Sequence, residues 1–241
     1  MSFQYAHWPL PLGVYAGWSD RIGGCSTSPF DSMNLGRHVG DEPESVAANR
    51  ARLNSLLKGH PHIVWLNQTH SATVVEVNEA DPGCEQDGSY TCQSGKACCV
   101  MTADCLPVFF WHQDGQQVAI AHAGWRGLAD GILLETLKKF SHPAQVSCGI
   151  GPAISQAHFE VGEDVYAAFS NWKNHQQFFI PRNQPGKYSC DLNGLAAAQL
   201  MQAGVQQVYF SELCSYENAD RFYSYRRDGQ TGRMANLIWI A

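Results

Sequence analysis

Apolar residues along the chain recur at two periods, and the switches between them outline an α/β protein. Over 41–59, Val46, Leu53, Leu56 and Leu57 fall on one helical stripe. Asp41 stands at a capping position, Pro43 suits the first turn and Gly59 stops the helix. The period then shortens. Residues 63–66 and 73–77 read as strands, the second alternating, and 97–101 and 106–111 are apolar runs parted by Thr102-Ala103-Asp104-Cys105. Residues 118–121 form a short buried strand ending at His122. A helix is expected over 128–140 with Leu128, Ile132, Leu133 and Leu137 inward, then a strand over 145–150 that runs into Gly151-Pro152. Val161, Val165 and Phe169 mark another helix, as do Leu192, Leu195 and Leu200, the latter closed by Gly204. Strands over 207–210, 221–225 and 234–240 finish the pattern.

Two stretches, 17–40 and 78–95, are rich in Gly, Ser and Asp and read as long loops, which in a compact domain usually serve function or are disordered. No repeat or low-complexity linker interrupts the chain. The expectation is one layered, mixed-sheet α/β (α+β) domain over 1–241, without the regular βα rhythm and glycine fingerprint of a dinucleotide fold.

Composition narrows the function classes. Hydrophobic residues are 44% and charged residues 16%, values of a globular chain. A net charge of −6 with scattered Lys and Arg argues against a nucleic-acid stripe or polybasic membrane surface, so any anion site is expected to be a local pocket. The N-terminus lacks the basic and apolar regions of a signal peptide, and no stretch approaches the roughly 18–20 apolar residues of a membrane span. Nine irregularly spaced cysteines are no disulfide framework. They point to a reducing, cytoplasmic compartment and to mostly buried thiols.

Three segments carry candidate chemistry. In His122-Ala123-Gly124-Trp125-Arg126-Gly127 a strand ends on a histidine and a glycine turn opens a helix, whose first N–H groups and Arg126 would suit an anion. A plain strand-to-helix turn with a surface arginine explains the same residues. In Thr102-Ala103-Asp104-Cys105-Leu106-Pro107 a polar break interrupts core strands, and a buried Asp demands partners. A structural thiol is the bland reading of Cys105. In Asn67-Gln68-Thr69-His70 a strand runs out into polar groups, although a lone loop histidine is commonly just hydrogen-bonded. Together the segments supply two imidazoles and a thiol, a set zinc accepts with a fourth position open, but at separations unlike any zinc finger. Asp87-Gly88 is either a turn or a carboxylate offered to the site. Arg37 lines the pocket or is merely solvated. In 222–228 the aromatics read as core and the arginines as surface.

Taken together, Asn67-Gln68-x-His70, Thr102-Ala-Asp-Cys-Leu-Pro107, His122-Ala-Gly-Trp-Arg-Gly127, Gly149-x-Gly151-Pro152, Phe159-Glu-Val-Gly162 and Tyr223-Ser-Tyr-Arg-Arg-Asp228 resemble the YfiH-type laccase-domain family. Its members carry the names polyphenol oxidase and purine nucleoside phosphorylase. The resemblance runs from about Gly13 to the C-terminus, departing at Glu85-Gln86-Asp87-Gly88, where relatives often have Ala-Asp-Ala or Ala-Asp-Gly but keep the Asp. It implies a single α/β domain related to a Cys-His toxin deamidase, with metal ligands at His70, Cys105 and His122. It also implies phosphorolysis of adenosine, inosine and methylthioadenosine, and deamination of adenosine, with zinc, or alternatively copper, as the metal. Cys105, His122 and Asp104 then become the catalytic candidates, and Arg37, Asn67, Gln68 and Arg126 those for substrate and phosphate. Purine nucleoside and phosphate are the expected partners, with no nucleic acid or membrane. The oligomeric state is not written in the sequence, and a monomer is the working expectation.

Three rivals use the same residues. A laccase would need several His-x-His pairs where this chain has only His60-Pro-His62. A metal-free hydrolase would use Cys105 as nucleophile and His122 as base on an amide, such as a cell-wall precursor. A metal-storage or ligand-binding module needs no catalysis, and the polar, Gly-rich loops near the ligands argue against it.

Overall fold

The computed structural model describes residues 3–81 and 83–241. Two large sheets lie face to face. The first is ordered β1 (Phe3–Tyr5), β2 (Val14–Ser19), β14 (Met234–Ile240), β6 (Lys96–Thr102), β3 (His62–Val64). The second is ordered β13 (Gln207–Phe210), β9 (Val146–Ile150), β7 (Leu106–His112), β8 (Val118–Ala123), β5 (Gly88–Thr91), β4 (Val74–Glu76). A small third sheet joins β10 (Glu160–Gly162), β12 (Lys187–Cys190) and β11 (Phe179–Pro181). Both large sheets mix parallel and antiparallel pairs, as the alternation of elements predicts.

The apolar runs of β6 and β7 are continuous because both of their faces are covered. Cys98 and Val100 pack between the sheets, against Phe109, Trp111, Val118 and Ile120. Their neighbours Ala97 and Cys99 face outward with Leu53 and Leu57 of the α1 region, α1 being Pro43–Leu56. On the far side, Val108 and Phe110 pack beneath α3 (Ile132–Leu137) and α5 (Leu192–Gln202). Strand side chains alternate faces, so a strand sandwiched between two layers loses the polar half of its pattern.

Several expectations change. Asp41 does not cap α1: Glu42 holds that position, and the Asp41 carboxylate instead accepts from Ser26 Oγ at 2.6 Å and Asn34 Nδ2 at 2.8 Å, tying the glycine-rich loop together. The helix expected over 128–140 is two: α2 (Trp125–Ala129) and α3, broken at Gly131, whose φ of 91° is left-handed. Val161 belongs to β10 rather than to the helix after it, α4 (Glu163–Ala168). No strand forms over 221–225. Ser224 caps a short helix, α6 (Tyr225–Asp228), and Arg227, expected at the surface, donates to the carbonyls of Ser215, Tyr216 and Phe222. The stretch read as a loop over 78–95 contains β5, whose contribution to the site proves decisive.

Candidate metal centre

The second sheet assembles the site by register. In the β7–β8 pair Pro107 lies opposite His122 and Leu106 opposite Ala123, which sets Cys105 at the mouth of the same ladder beside Gly124. On the other edge of β8, Gly88 pairs with Ala121, and the Asp87 carbonyl accepts from the His122 N–H at 2.7 Å. A thiol, an imidazole and a carboxylate therefore meet at one sheet end.

Asp87 organises what arrives there. It is fully buried. One carboxylate oxygen, Oδ1, accepts from His122 Nδ1 at 2.7 Å and from the His70 N–H at 3.0 Å. The other, Oδ2, accepts from the N–H groups of Thr69 and Ser71 at 3.0 and 2.7 Å and from Ser71 Oγ at 2.8 Å. With its Nδ1–H committed to Asp87, His122 turns Nε2 toward Cys105. The three consecutive N–H donors also hold His70 in the left-handed region, φ 67°, where a residue with a Cβ is strained. Gly124 makes room: a Cβ there would lie 2.6 Å from His70 Cδ2 and 3.0 Å from Cys105 Sγ.

Charge follows geometry. Burial alone would raise the Asp87 carboxyl; the His122 hydrogen bond and charge, with the bonds from Thr69 and Ser71, outweigh it and hold it below the usual range. Burial also disfavours the Cys105 thiolate, but His122 and then His70 reverse that and pull its pKa well below that of a free thiol. Against the same desolvation, Cys105 and Asp87 push His122 above the ordinary imidazole value.

The donor set fits a metal. The Sγ of Cys105 and Nε2 of His70 are 3.8 Å apart, and the ligand atoms of His70, Cys105 and His122 all lie within 4.8 Å of one another. Tetrahedral zinc with bonds of about 2.0–2.3 Å would space them by roughly 3.3–3.6 Å, a modest side-chain contraction. His70 is exposed, Cys105 half-buried and His122 buried, so the side near His70 is open for a fourth ligand. Among the described residues this is the sole such group of three.

The other candidates spread out. Asp104, beside Cys105 in sequence, is no member of the cluster. Its carboxylate accepts from Ser215 Oγ at 2.6 Å and from the Arg226 N–H at 2.7 Å, holding its own φ of 99°. Gln68 is occupied at both ends of its amide by the Met101 backbone, at 2.9 and 2.7 Å, and so braces the chain beside the site. Arg126 is exposed, its guanidinium 4.2 Å from the Trp125 ring centre. Arg37 and Asn67 line a cleft together with Arg50 and Lys96, two residues the sequence pattern left unmarked. Thr69, Ser71 and Ser215 were also missed; each acts through a partner remote in sequence, and no local pattern announces that.

The fold and cluster thus define a sandwich of mixed sheets with a His-Cys-His centre at the end of one sheet. The chain belongs to the family described as multi-copper polyphenol oxidoreductase laccase, whose model matches residues 15–241. It is 44% identical over 237 residues to a purine nucleoside phosphorylase of Pseudomonas aeruginosa, covering 97% of this chain and 96% of that one. It is 44% identical over 236 residues to the purine nucleoside phosphorylase YfiH of Escherichia coli, with the same coverage. A crystal structure of a Neisseria meningitidis protein superposes with a TM-score of 0.95 at 43% identity, covering 100% of this chain and 99% of that one.

Proposed function

We propose that the chain is a purine nucleoside phosphorylase that uses zinc held by His70, Cys105 and His122, acting on adenosine, inosine and methylthioadenosine and also deaminating adenosine. The observation that carries this is the cluster itself, open on the His70 side, in a chain that matches purine nucleoside phosphorylases along nearly its whole length. When bound, the metal would supply Lewis acidity and lower the pKa of a water toward ~7. The protein's part is to hold the ligands in place. Asp87 fixes the tautomer and direction of His122, and Thr69 to Ser71, bonded to the same carboxylate, set His70. Arg126 offers a forked cation for phosphate, Arg37 offers one to the substrate from the neighbouring cleft, and the exposed Asn67 offers an amide to the nucleoside. The helix after Gly124 is five residues long, so Arg126 rather than the helix end carries the phosphate contact. We further propose a single catalytic domain over 1–241, acting as a monomer in the cytoplasm; all nine cysteines are free, as a reducing compartment requires, and no helix among the described residues is long and apolar enough to cross a membrane.

The decisive experiment is product analysis with nucleoside and inorganic phosphate. Phosphorolysis consumes phosphate and releases ribose-1-phosphate; base release at full rate without phosphate would refute the reading. Arg126→Lys should weaken phosphate use more than deamination, and equal losses in both would make Arg126 structural.

A second reading rests on one further observation. Cys105, His122 and Asp87 stand in the order nucleophile, base and orienting carboxylate, with a 2.7 Å His–Asp bond, as in a Cys-His hydrolase. Chelation separates the two. The zinc enzyme loses activity and regains it with zinc, whereas the hydrolase survives chelation and falls to thiol alkylation.

A further inference from the structure

Beside the metal cluster runs a cleft of about 920 Å³ whose walls are cationic. Arg37, Arg50 and Lys96 line it, and among the described residues no Asp or Glu does. In a chain with 22 acidic against 16 basic residues, that separation of charge is local and specific. Arg50 is the telling member. It is half-buried, and its Nε and Nη2 both donate to the Leu35 carbonyl, at 2.9 and 2.8 Å. Its guanidinium lies 3.7 Å from the centre of the Trp65 ring, which fixes its plane. It has no carboxylate partner, and its Nη1 has no hydrogen-bond partner among the described residues. Burial, the largest influence, lowers its pKa to about 10, with Arg37 adding to the effect. A partly buried guanidinium without a counter-ion is a costly arrangement, and an anion arriving from the cleft relieves it.

The cleft also touches the cluster's own scaffolding. Asn67, three residues before His70, and Met101, four before Cys105, both line it, and Gln68 clips these two segments together. Orthophosphate would fill only a small part of such a volume, which instead matches a ligand of nucleotide size.

We propose that this cleft is an anion site that takes the phosphate groups of a nucleoside phosphate, whose nucleoside end reaches toward His70. The proposal deepens the phosphorylase reading and rests on it only in choosing a nucleoside as the group nearest the metal.

The test is calorimetric titration of the full chain with ADP, adenosine and inorganic phosphate at low and high salt, without turnover. ADP should bind at least about tenfold tighter than adenosine, an advantage that shrinks with salt, since charge-assisted contacts are each worth that much or more. Arg37→Glu and Lys96→Glu should each remove most of that advantage while adenosine binding persists. Should Lys96→Glu fail to fold, Arg37→Glu, at an exposed position, carries the test alone. Equal affinity for ADP and adenosine, or an ADP advantage unmoved by Arg37→Glu, would overturn the proposal. Displacement of ADP by inorganic phosphate at similar concentrations would assign the cleft to free phosphate and overturn it too. Failure of the phosphorylase reading would show instead in the product assay, with these affinities unchanged.

Discussion

Two buried aspartates flank the His-Cys-His cluster and do different work. Asp104 is the immediate neighbour of Cys105, yet its carboxylate is taken by Ser215 Oγ and the Arg226 N–H. It fixes the chain on which Cys105 rides. Asp87 is 17 residues from His70 and 35 from His122, yet it bonds the His122 ring and the His70 backbone directly. It fixes two of the cluster's residues themselves. Nearness along the chain is a poor guide to nearness in chemistry, because sheet register brings distant strand ends together while neighbouring side chains diverge.

Exchanging the two carboxylates for amides should expose that difference. The largest effect is expected from Asp87→Asn. Either orientation of the amide points an NH₂ group at existing N–H or O–H donors, so both His122 and the 69–71 turn lose definition. Zinc affinity should fall about 10–100-fold, measured by competition with a chromophoric chelator. An unchanged affinity would break the distinction between the two residues.

Next in size is the pH dependence of metal uptake. Around neutral pH the His122 ring, its pKa raised above the ordinary 6.5, carries a proton that a ligand must lose, whereas Cys105, its pKa lowered, is already a thiolate. Zinc affinity should therefore climb with pH by about tenfold per unit until His122 has titrated. Calorimetry in buffers of different ionisation enthalpy should show one proton released at neutral pH. No proton release there would mean that the imidazolium–thiolate pair does not exist.

Asp104→Asn should cost about 1–3 kcal/mol of folding stability, since both of its buried contacts lose a charged acceptor. Zinc affinity should change little. Denaturant unfolding gives the first number and chelator competition the second; a zinc loss matching that of Asp87→Asn would return Asp104 to the ligand-orienting group. Smallest is Ser215→Ala, expected to cost about 1 kcal/mol. Combined with Asp104→Asn the losses should be less than additive, and full additivity would show that the 2.6 Å bond contributes no coupling.

What the chain determines unaided is its periodicity and its donor inventory. The apolar runs of 97–101 and 106–111 and the strand expected over 234–240 all form strands, covered on both faces. The resemblance carried by the motifs around His70, Cys105 and His122 pointed to three residues that do converge. Backbone pattern is local physics, so it is legible. Other features needed the third dimension. Gly131 breaks a helix that Leu128 to Leu137 would otherwise sustain, because a left-handed turn lets α3 pack back on the sheet. Ser224 turns an apparent strand into a capped helix because Arg227 finds three carbonyls there. Asp87 looked like one turn residue among many, and nothing in Glu85-Gln86-Asp87-Gly88 distinguishes a solvated turn from a carboxylate buried under two histidines. Only the pairing of β5 with β8 decides between them, since a hydrogen-bond acceptor takes its role from the donors that the fold brings to it.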